Sequence, residues 1–356
     1  MKNNNKTIFF SGGGTLGSVV PLLALYEELK DKNFNYQYIW IGTKNGPEKN
    51  IIEKNNIKFI SIKSDKLRRY FDVRNLLIPI NLIIAYFQSI KLLKKYKPEI
   101  VLTAGGFVSV PLIYAANKLK IKSIIHQQDI KKGLANKLME KKASLITITF
   151  NKSFEDYKKY KNKIIKTGNL VRKSIFKYNK KLIKKEFGIE TDKPILLITG
   201  GSTGSVFINN LINNNIDRIL DDYFVIHLFG KGKLPDNIIN KKDYIISEFS
   251  NEIQKLFILA DIVITRAGLG TLTELASIKK ACIIIPLPGH QEENVKIFKE
   301  NIPVYNQNNF NEEVFIKKLK DLSNNIDLRT EIGDNLGKII EIGNEKYIKI
   351  ITSKIL

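Results

Sequence analysis

The feature that most constrains this chain is a repeated unit. A short apolar run leads into a glycine-rich loop, and a stretch with apolar residues at helical spacing follows. The unit opens the chain, where residues 7–10 lead into the loop 11–17 and a helix is expected over 19–29. It returns near the middle, where residues 194–199 lead into Gly200-Gly-Ser202-Thr-Gly204. Further apolar runs lie at 36–41, 59–62, 99–102, 123–126, 145–149 and 164–167, then at 224–228, 243–246, 262–265 and 282–286. Most end in glycine or polar residues. Short strands alternating with helices form parallel sheets, because a parallel crossover needs a connection of helix length. We therefore expect an α/β chain of two Rossmann-like parallel-sheet domains facing across a cleft. Their expected bounds are 1–170 and 171–336. An amphipathic helix over 335–355 is expected to pack back, through residues 337–356, on the first domain. Ligands of such sheets bind beyond the C-terminal ends of the strands.

Composition sets the outer bounds. A chain of 356 residues exceeds one ordinary core. Its 43% hydrophobic and 26% charged residues fit a soluble globular protein. The one cysteine, Cys282, lies in the apolar run 281–285, so no disulfide framework is possible and a reducing compartment is expected. The polar start and the short apolar run after it predict no signal peptide, and no stretch is long enough to predict a transmembrane helix. Net charge is +23, which favours anionic partners. The lysines are spread along the chain, and no nucleic-acid motif with interleaved aromatics occurs, so nucleic acid is not an expected partner.

Chemistry concentrates in the segment Arg266-Ala-Gly-Leu-Gly-Thr-Leu-Thr-Glu274 and in Pro286-Leu-Pro-Gly-His290-Gln291-Glu-Glu-Asn294. The first runs from a buried strand through a glycine turn into a helix expected to open at Thr271 or Thr273. Backbone N–H groups there suit a phosphate. Glu274, about one turn inside, can accept hydrogen bonds from a vicinal diol. His290 and Gln291 emerge at the next strand end. Together these describe a nucleotide-sugar site. The opening loop lacks the dinucleotide spacing and the Gly-Lys-Ser/Thr ending of a triphosphate loop, which weakens an oxidoreductase or kinase assignment. His126, His227 and His290 are too dispersed for a metal site, and no metal or other cofactor is expected.

Taken in order along the chain, these segments resemble the MurG family, inverting GT-B glycosyltransferases that add N-acetylglucosamine to lipid I to make lipid II. Gly13-Gly-Thr-Leu-Gly-Ser18-Val-Val-Pro21 is similar to the family's GGTGGHxxP loop, and Gly105-Gly-Phe-Val-Ser109-Val-Pro111 to its GGYVSxP segment. The segment from His126-Gln-Gln128 to Asn136 resembles HEQNxxxGxxN, and Gly168-Asn-Leu-Val-Arg172 resembles GNPVR. Gly200-Gly-Ser202-Thr-Gly204 is similar to GGSQG, and the turn from His227 to Lys231 to HxxGK. The resemblance implies UDP-N-acetylglucosamine as donor and an undecaprenyl-diphosphate-linked acceptor, with no metal. It implies donor contacts at Thr15, Gly17, Asp129, Arg172, Ser202, Phe249, Ile253, Leu269, Glu274, His290, Gln291 and Asn294. Arg172 and Ser202 would meet the diphosphate, Glu274 the ribose, the backbone near Phe249 the uracil, and Gln291 with Asn294 the sugar. Acceptor contacts are implied at Gly13, Gly14, Gly105, Gly106, Ser109, His126 and Asn136, with the acceptor diphosphate near Thr15 and Gly17.

The departures bear on mechanism. Ser18 stands where the family has its proposed general-base histidine, and an unassisted hydroxyl is not a base near neutrality. Gln127-Gln128-Asp129 replaces Glu-Gln-Asn, which makes Asp129 a candidate for the proton acceptor or for a sugar contact. Leu16 and Leu170 replace a glycine and a proline. A different lipid-linked or polysaccharide acceptor, or a non-catalytic donor-binding subunit, stays open at this point. Between 64 and 97, apolar residues are rimmed by Lys66, Arg68, Arg69, Arg74, Lys91, Lys94, Lys95 and Lys97. That pattern suits an anionic membrane surface, with a core helix ending in solvated lysines as the plain alternative. Peripheral attachment at the cytoplasmic face of the cell membrane is expected.

Overall fold

The structure, a computed structural model, describes residues 6–32, 36–64, 78–201, 203–235, 240–289 and 291–355. It divides into two units: residues 1–172 with 342–356, and residues 173–341.

In unit 1 the strands are β1 (Lys6–Ser11), β2 (Tyr36–Gly42), β3 (Lys58–Ser61), β4 (Ile100–Thr103), β5 (Lys122–Gln127), β6 (Leu145–Ile148) and β7 (Ile164–Lys166). They form one parallel sheet in the order β3-β2-β1-β4-β5-β6-β7. Strand residues alternate between faces. Ile8, Phe10, Trp40, Leu102 and Ile124 face one core, shared with helix α1 (Val20–Asp31). Phe9, Ile39, Ile41, Val101 and Ile125 face the other. After α2 (Glu48–Lys54), that second face is covered by α3 (Ile78–Tyr96), α4 (Ser109–Lys118) and α5 (Leu134–Met139). Because the chain runs outward to one edge from β1 through β2 and β3, and to the other from β4 through β7, the switch point falls between β1 and β4.

Unit 2 repeats the plan at smaller size. Helix α6 (Lys180–Glu186) leads to β8 (Ile195–Thr199), α7 (Val206–Asp222), β9 (Phe224–Leu228), β10 (Tyr244–Ser247), α8 (Ile253–Leu259), β11 (Ile262–Thr265), α9 (Leu269–Ser277) and β12 (Ala281–Ile284). The sheet is parallel, in the order β10-β9-β8-β11-β12, which puts its switch point between β8 and β11. Then α10 (Glu292–Val295), α11 (Glu312–Asn324) and α12 (Ile326–Ile339) follow. Among the described residues no helix is long and apolar enough to cross a membrane.

Two sequence expectations change. The expected single helix over 335–355 is two: α12 ends at Ile339 and α13 (Asn344–Ile355) begins anew. Between them Ile342 forms a bridge with Asn169, and Gly343 lies so close to the Thr167 carbonyl that a Cβ would overlap it. Buried Tyr347, Ile348 and Ile351 then place α13 in the core beside α1. The second change is α9, which starts at Leu269 rather than at Thr271 or Thr273. Gly268 is its extended N-cap, and a glycine at position 270 costs a helix only about 1 kcal/mol.

Candidate active site

Unit 1 gathers its candidates at the β1/β4 switch point. The loop after β1 buries Gly12 and Gly13 and exposes Gly14, Thr15 and Gly17. Side chains hold it at three points. Trp40 Nε1 donates to the Gly12 carbonyl at 2.9 Å, Glu48 accepts from the Gly14 N–H at 3.1 Å, and Gln128 Nε2 donates to the Gly17 carbonyl at 2.7 Å. After β4, Gly105 and Gly106 take φ of +102° and +91°. A Cβ on Gly106 would stand 3.2 Å from both the Gly13 carbonyl and Ser18 Oγ, so glycine suits both the backbone and the gap. Ser18 is 7% exposed, and its Oγ has no hydrogen-bond partner among the described residues. Asn136 Oδ1, beside Gly105, is also unpartnered, while its Nδ2 donates to Gln127 Oε1 at 2.7 Å. Two buried polar atoms are thus left open beside the glycine pair.

The loop after β5 is built around Gln127. Its Nε2 donates to the carbonyls of Asp129 at 2.7 Å and Lys131 at 3.0 Å, and its Oε1 also accepts from Tyr157 Oη at 2.8 Å. A carboxylate at 127 could make neither donation, which gives the amide found here a physical reason. Asp129 is half-buried at the start of this loop. Ser153 Oγ adds a bond to its carbonyl at 3.3 Å.

Two expected acceptor contacts are placed elsewhere. His126 is fully buried in β5, with Nδ1 2.9 Å from Thr147 Oγ1 and Nε2 3.0 Å from Asn169 Oδ1. Burial pushes its imidazole down to about 4 and keeps it neutral. Ser109 is also fully buried. Its Oγ bonds Thr103 Oγ1 at 2.8 Å and the Gly105 carbonyl at 3.0 Å, so it locks the glycine turn from behind. Neither side chain has a free face for a ligand.

Unit 2 builds its candidates at the β8/β11 switch point. Gly204 passes so close to the Phe229 carbonyl that a Cβ there would overlap it, which brings the loops after β8 and β9 together. Arg266 follows β11 directly. It is half-buried, with Nη1 3.5 Å from Thr203 Oγ1 and Nε without a partner among the described residues. Burial pushes its guanidinium below the ordinary value. Two residues on stands Gly268, the N-cap of α9, which makes no side-chain cap. A partly desolvated cation next to the open N-terminus of a nine-residue helix suits an anion. The sequence assigns Arg266 no role of its own, because an arginine after a strand carries no signal until its burial and its open Nε are known.

Glu274, in the second turn of α9, is 4% exposed, and its Oε1 accepts from Gln254 Nε2 at 3.0 Å. Gln254 Oε1 in turn accepts from Ser174 Oγ at 2.8 Å. Gln254 and Ser174 are missed by sequence reasoning, since no motif contains them. Phe249 is exposed before α8, Ile253 is the first residue of α8, and Leu269 is buried as the first residue of α9. Gln291 Oε1 accepts from the Leu287 N–H at 2.9 Å, and Asn294 is buried. Arg172 is half-buried at the end of the first segment of unit 1. Ser202 and His290 lie outside the described residues.

Two parallel sheets, each with glycine loops at its switch point, make up the GT-B fold. Residues 8–148 match the glycosyltransferase family 28 N-terminal domain, and residues 195–337 match the C-terminal domain of the same family. The chain is 38% identical over 349 residues to a UDP-N-acetylglucosamine--N-acetylmuramyl-(pentapeptide) pyrophosphoryl-undecaprenol N-acetylglucosamine transferase of Clostridium perfringens (strain SM101 / Type A), covering 94% of this chain and 97% of that one. An enzyme of the same name from Clostridium botulinum (strain 657 / Type Ba4) is 40% identical over 328 residues, covering 90% and 92%. The crystal structure of Acinetobacter baumannii MurG shares the fold, with a TM-score of 0.71 at 24% identity over 98% of this chain and 99% of that one. The chain belongs to the MurG family within glycosyltransferase family 28.

Proposed function

We propose that this chain transfers N-acetylglucosamine from UDP-N-acetylglucosamine to undecaprenyl-diphosphoryl-N-acetylmuramoyl-pentapeptide, the step from lipid I to lipid II of peptidoglycan synthesis. The observation that carries this is the end-to-end likeness to enzymes of that name, at 37–40% identity. The acceptor hydroxyl attacks the anomeric carbon, the bond from that carbon to the diphosphate oxygen breaks, and UDP departs with inversion. Arg172, Ser202 and Arg266 receive the diphosphate, the α9 N-terminus adds its dipole, and charge is stabilised where it develops. Glu274, held by Gln254, accepts the ribose hydroxyls, and the backbone near Phe249 and Ile253 meets the uracil. Gln291 and Asn294 contact the sugar. The acceptor diphosphate lies along Gly13, Gly14, Thr15 and Gly17 and the pair Gly105-Gly106, with Ser18 Oγ and Asn136 Oδ1 as open hydrogen-bonding atoms there. Ser18 does not take the proton. Asp129 is the candidate acceptor for it.

A lipid-linked acceptor calls for a membrane-facing surface. On α3, Ile80, Ile83 and Phe87 are 54%, 58% and 65% exposed, and the same face continues into exposed Lys91, Lys94 and Lys95. Apolar residues running into lysines fit the anionic cytoplasmic face of a membrane. The basic run from Lys66 to Arg74 lies outside the described residues. A UDP-release assay with and without lipid I, with the lipid product weighed by mass spectrometry, tests the function. Release that no lipid acceptor stimulates, or transfer to another acceptor alone, would overturn it.

A further inference from the structure

Glu48 has no part in the function as proposed, and no motif contains it. Its side chain is fully buried, and among the described residues no basic side chain forms an ion pair with it. It joins two loops. Oε1 accepts from the Thr43 N–H at 2.8 Å and from Thr43 Oγ1 at 2.6 Å, just past the end of β2. Oε2 accepts from the Gly14 N–H at 3.1 Å, in the first glycine loop. Hydrogen bonds to a buried carboxylate are charge-assisted and stronger than neutral ones. The carboxylate also fills a socket walled by glycine. A Cβ on Gly13 or on Gly46 would overlap its oxygens. Gly13 is therefore bare on the side of Glu48, while the Cα of Gly14 faces open space.

Three consecutive glycines lose more backbone freedom on ordering than any other three residues. If that cost fell at ligand binding, it would be taken from affinity. With the Gly14 amide tied to Glu48 in the free protein, the cost is met on folding.

We propose that Glu48 is a positioning residue of the acceptor loop: its carboxylate presets the Gly12–Gly17 backbone and so sets acceptor affinity without touching the acceptor. This rests on the acceptor diphosphate lying along that loop. The plainer role is to secure the turn before α2 through Thr43, where a carboxylate also suits a helix N-terminus. The two roles use different oxygens, so they can be separated. In Glu48→Gln the amide oxygen can still accept from Thr43, but the NH2 then faces the Gly14 N–H, donor against donor. In Thr43→Val the hydroxyl bond is lost and the Gly14 bond stays.

The experiment takes the full chain through hydrogen exchange read by mass spectrometry, and through steady-state kinetics with UDP-N-acetylglucosamine and lipid I. Glu48→Gln is expected to speed exchange over 11–18 and to raise the acceptor KM about tenfold, as one charge-assisted bond is worth. Its donor KM should stay within about twofold. Thr43→Val is expected to speed exchange over 43–54 and leave the acceptor KM unchanged. Unchanged exchange over 11–18 in Glu48→Gln overturns the proposal, as does an equal rise in both KM values. An acceptor KM that rises as much in Thr43→Val as in Glu48→Gln assigns Glu48 to the turn and overturns it too. Wild-type protein that transfers to no lipid acceptor would sink the functional proposal and the acceptor half of this one, while the exchange data still judge the loop.

Discussion

The two switch points share a topology and differ in what they leave open. In unit 1 the first glycine loop is tied down by side chains: the Gly12 carbonyl to Trp40, the Gly14 N–H to Glu48, the Gly17 carbonyl to Gln128. What stays open beside it is neutral, Ser18 Oγ and Asn136 Oδ1. Among the described residues of the unit 2 switch-point loops, the open group belongs to a cation, the Nε of half-buried Arg266, close to an uncapped helix. One site is a preformed surface of backbone. The other holds unspent positive charge. That division fits the proposed reaction, in which one partner must be aligned and the other must leave as an anion.

Behind each switch point the units use the same device. His126 in β5 sits between Thr147 Oγ1 and Asn169 Oδ1, and His227 in β9 sits 2.9 Å from Tyr244 Oη and 3.2 Å from Asn209 Oδ1. Burial lowers both from the ordinary 6.5, His126 to about 4 and His227 to about 3. The unfolded chain therefore binds more protons than the folded one below pH 6.5. Stability is complete above that value and falls as pH drops, down to about 4 for His126 and about 3 for His227. Across these windows His126 is expected to remove about 3 kcal/mol and His227 about 5 kcal/mol, the largest effects foreseen here. Between pH 6.5 and 5, where carboxylates scarcely titrate, the unfolding free energy from denaturant titration should already decline. His227→Gln should flatten that decline in part. A flat wild-type profile over this range would break the parallel between the units.

The next largest effect tests the division of labour. If the proton goes to unit 1, Asp129→Asn should lower kcat about 100-fold and leave the donor KM unchanged, the usual worth of a general base. Near-normal turnover would mean that the unit 1 site aligns the acceptor and does no proton chemistry. In unit 2, Glu274→Ala should weaken donor binding about tenfold or somewhat more, for lost charge-assisted hydrogen bonds. Calorimetric titration with UDP reads this directly. Wild-type affinity in that variant would remove Glu274 from the donor site.

Much of this was legible in the chain, for a physical reason. Parallel strands buried on both faces read as short apolar runs, and the loops at their C-terminal ends need glycine, so sheet and switch points show in the sequence. Elements fixed by distant contacts do not. The break before α13 comes from Gly343 meeting the Thr167 carbonyl and from Asn344, which accepts from the Val171 N–H at 3.0 Å. Arg266, Gln254 and Glu48 matter through burial and through which of their atoms are already bonded, and no spacing encodes that. His126 and Ser109 show the reverse case, motif residues whose side chains are buried and bonded. A motif residue next to a site can serve the backbone behind it.

The smallest effect concerns the outer surfaces. In unit 1 the exposed apolar residues of α3 form one stripe, Ile80, Ile83 and Phe87, leading into lysines. In unit 2, exposed Leu182, Val206 and Ile326 stand in the first turns of three different helices. Only the first arrangement gives a continuous strip to lay on lipid, so vesicle binding is expected to follow α3. Lys94→Gln should weaken binding to anionic vesicles about fivefold at low salt, since one basic residue near such a surface contributes about 1 kcal/mol. Phe87→Ser should weaken binding to anionic and neutral vesicles alike, because it removes buried apolar area rather than charge. Added salt should erase the Lys94 effect and spare the Phe87 effect. Ile326→Ser should change neither. If Ile326→Ser matched Phe87→Ser, or if Lys94→Gln bound as wild type does at low salt, the stripe would not be the membrane surface.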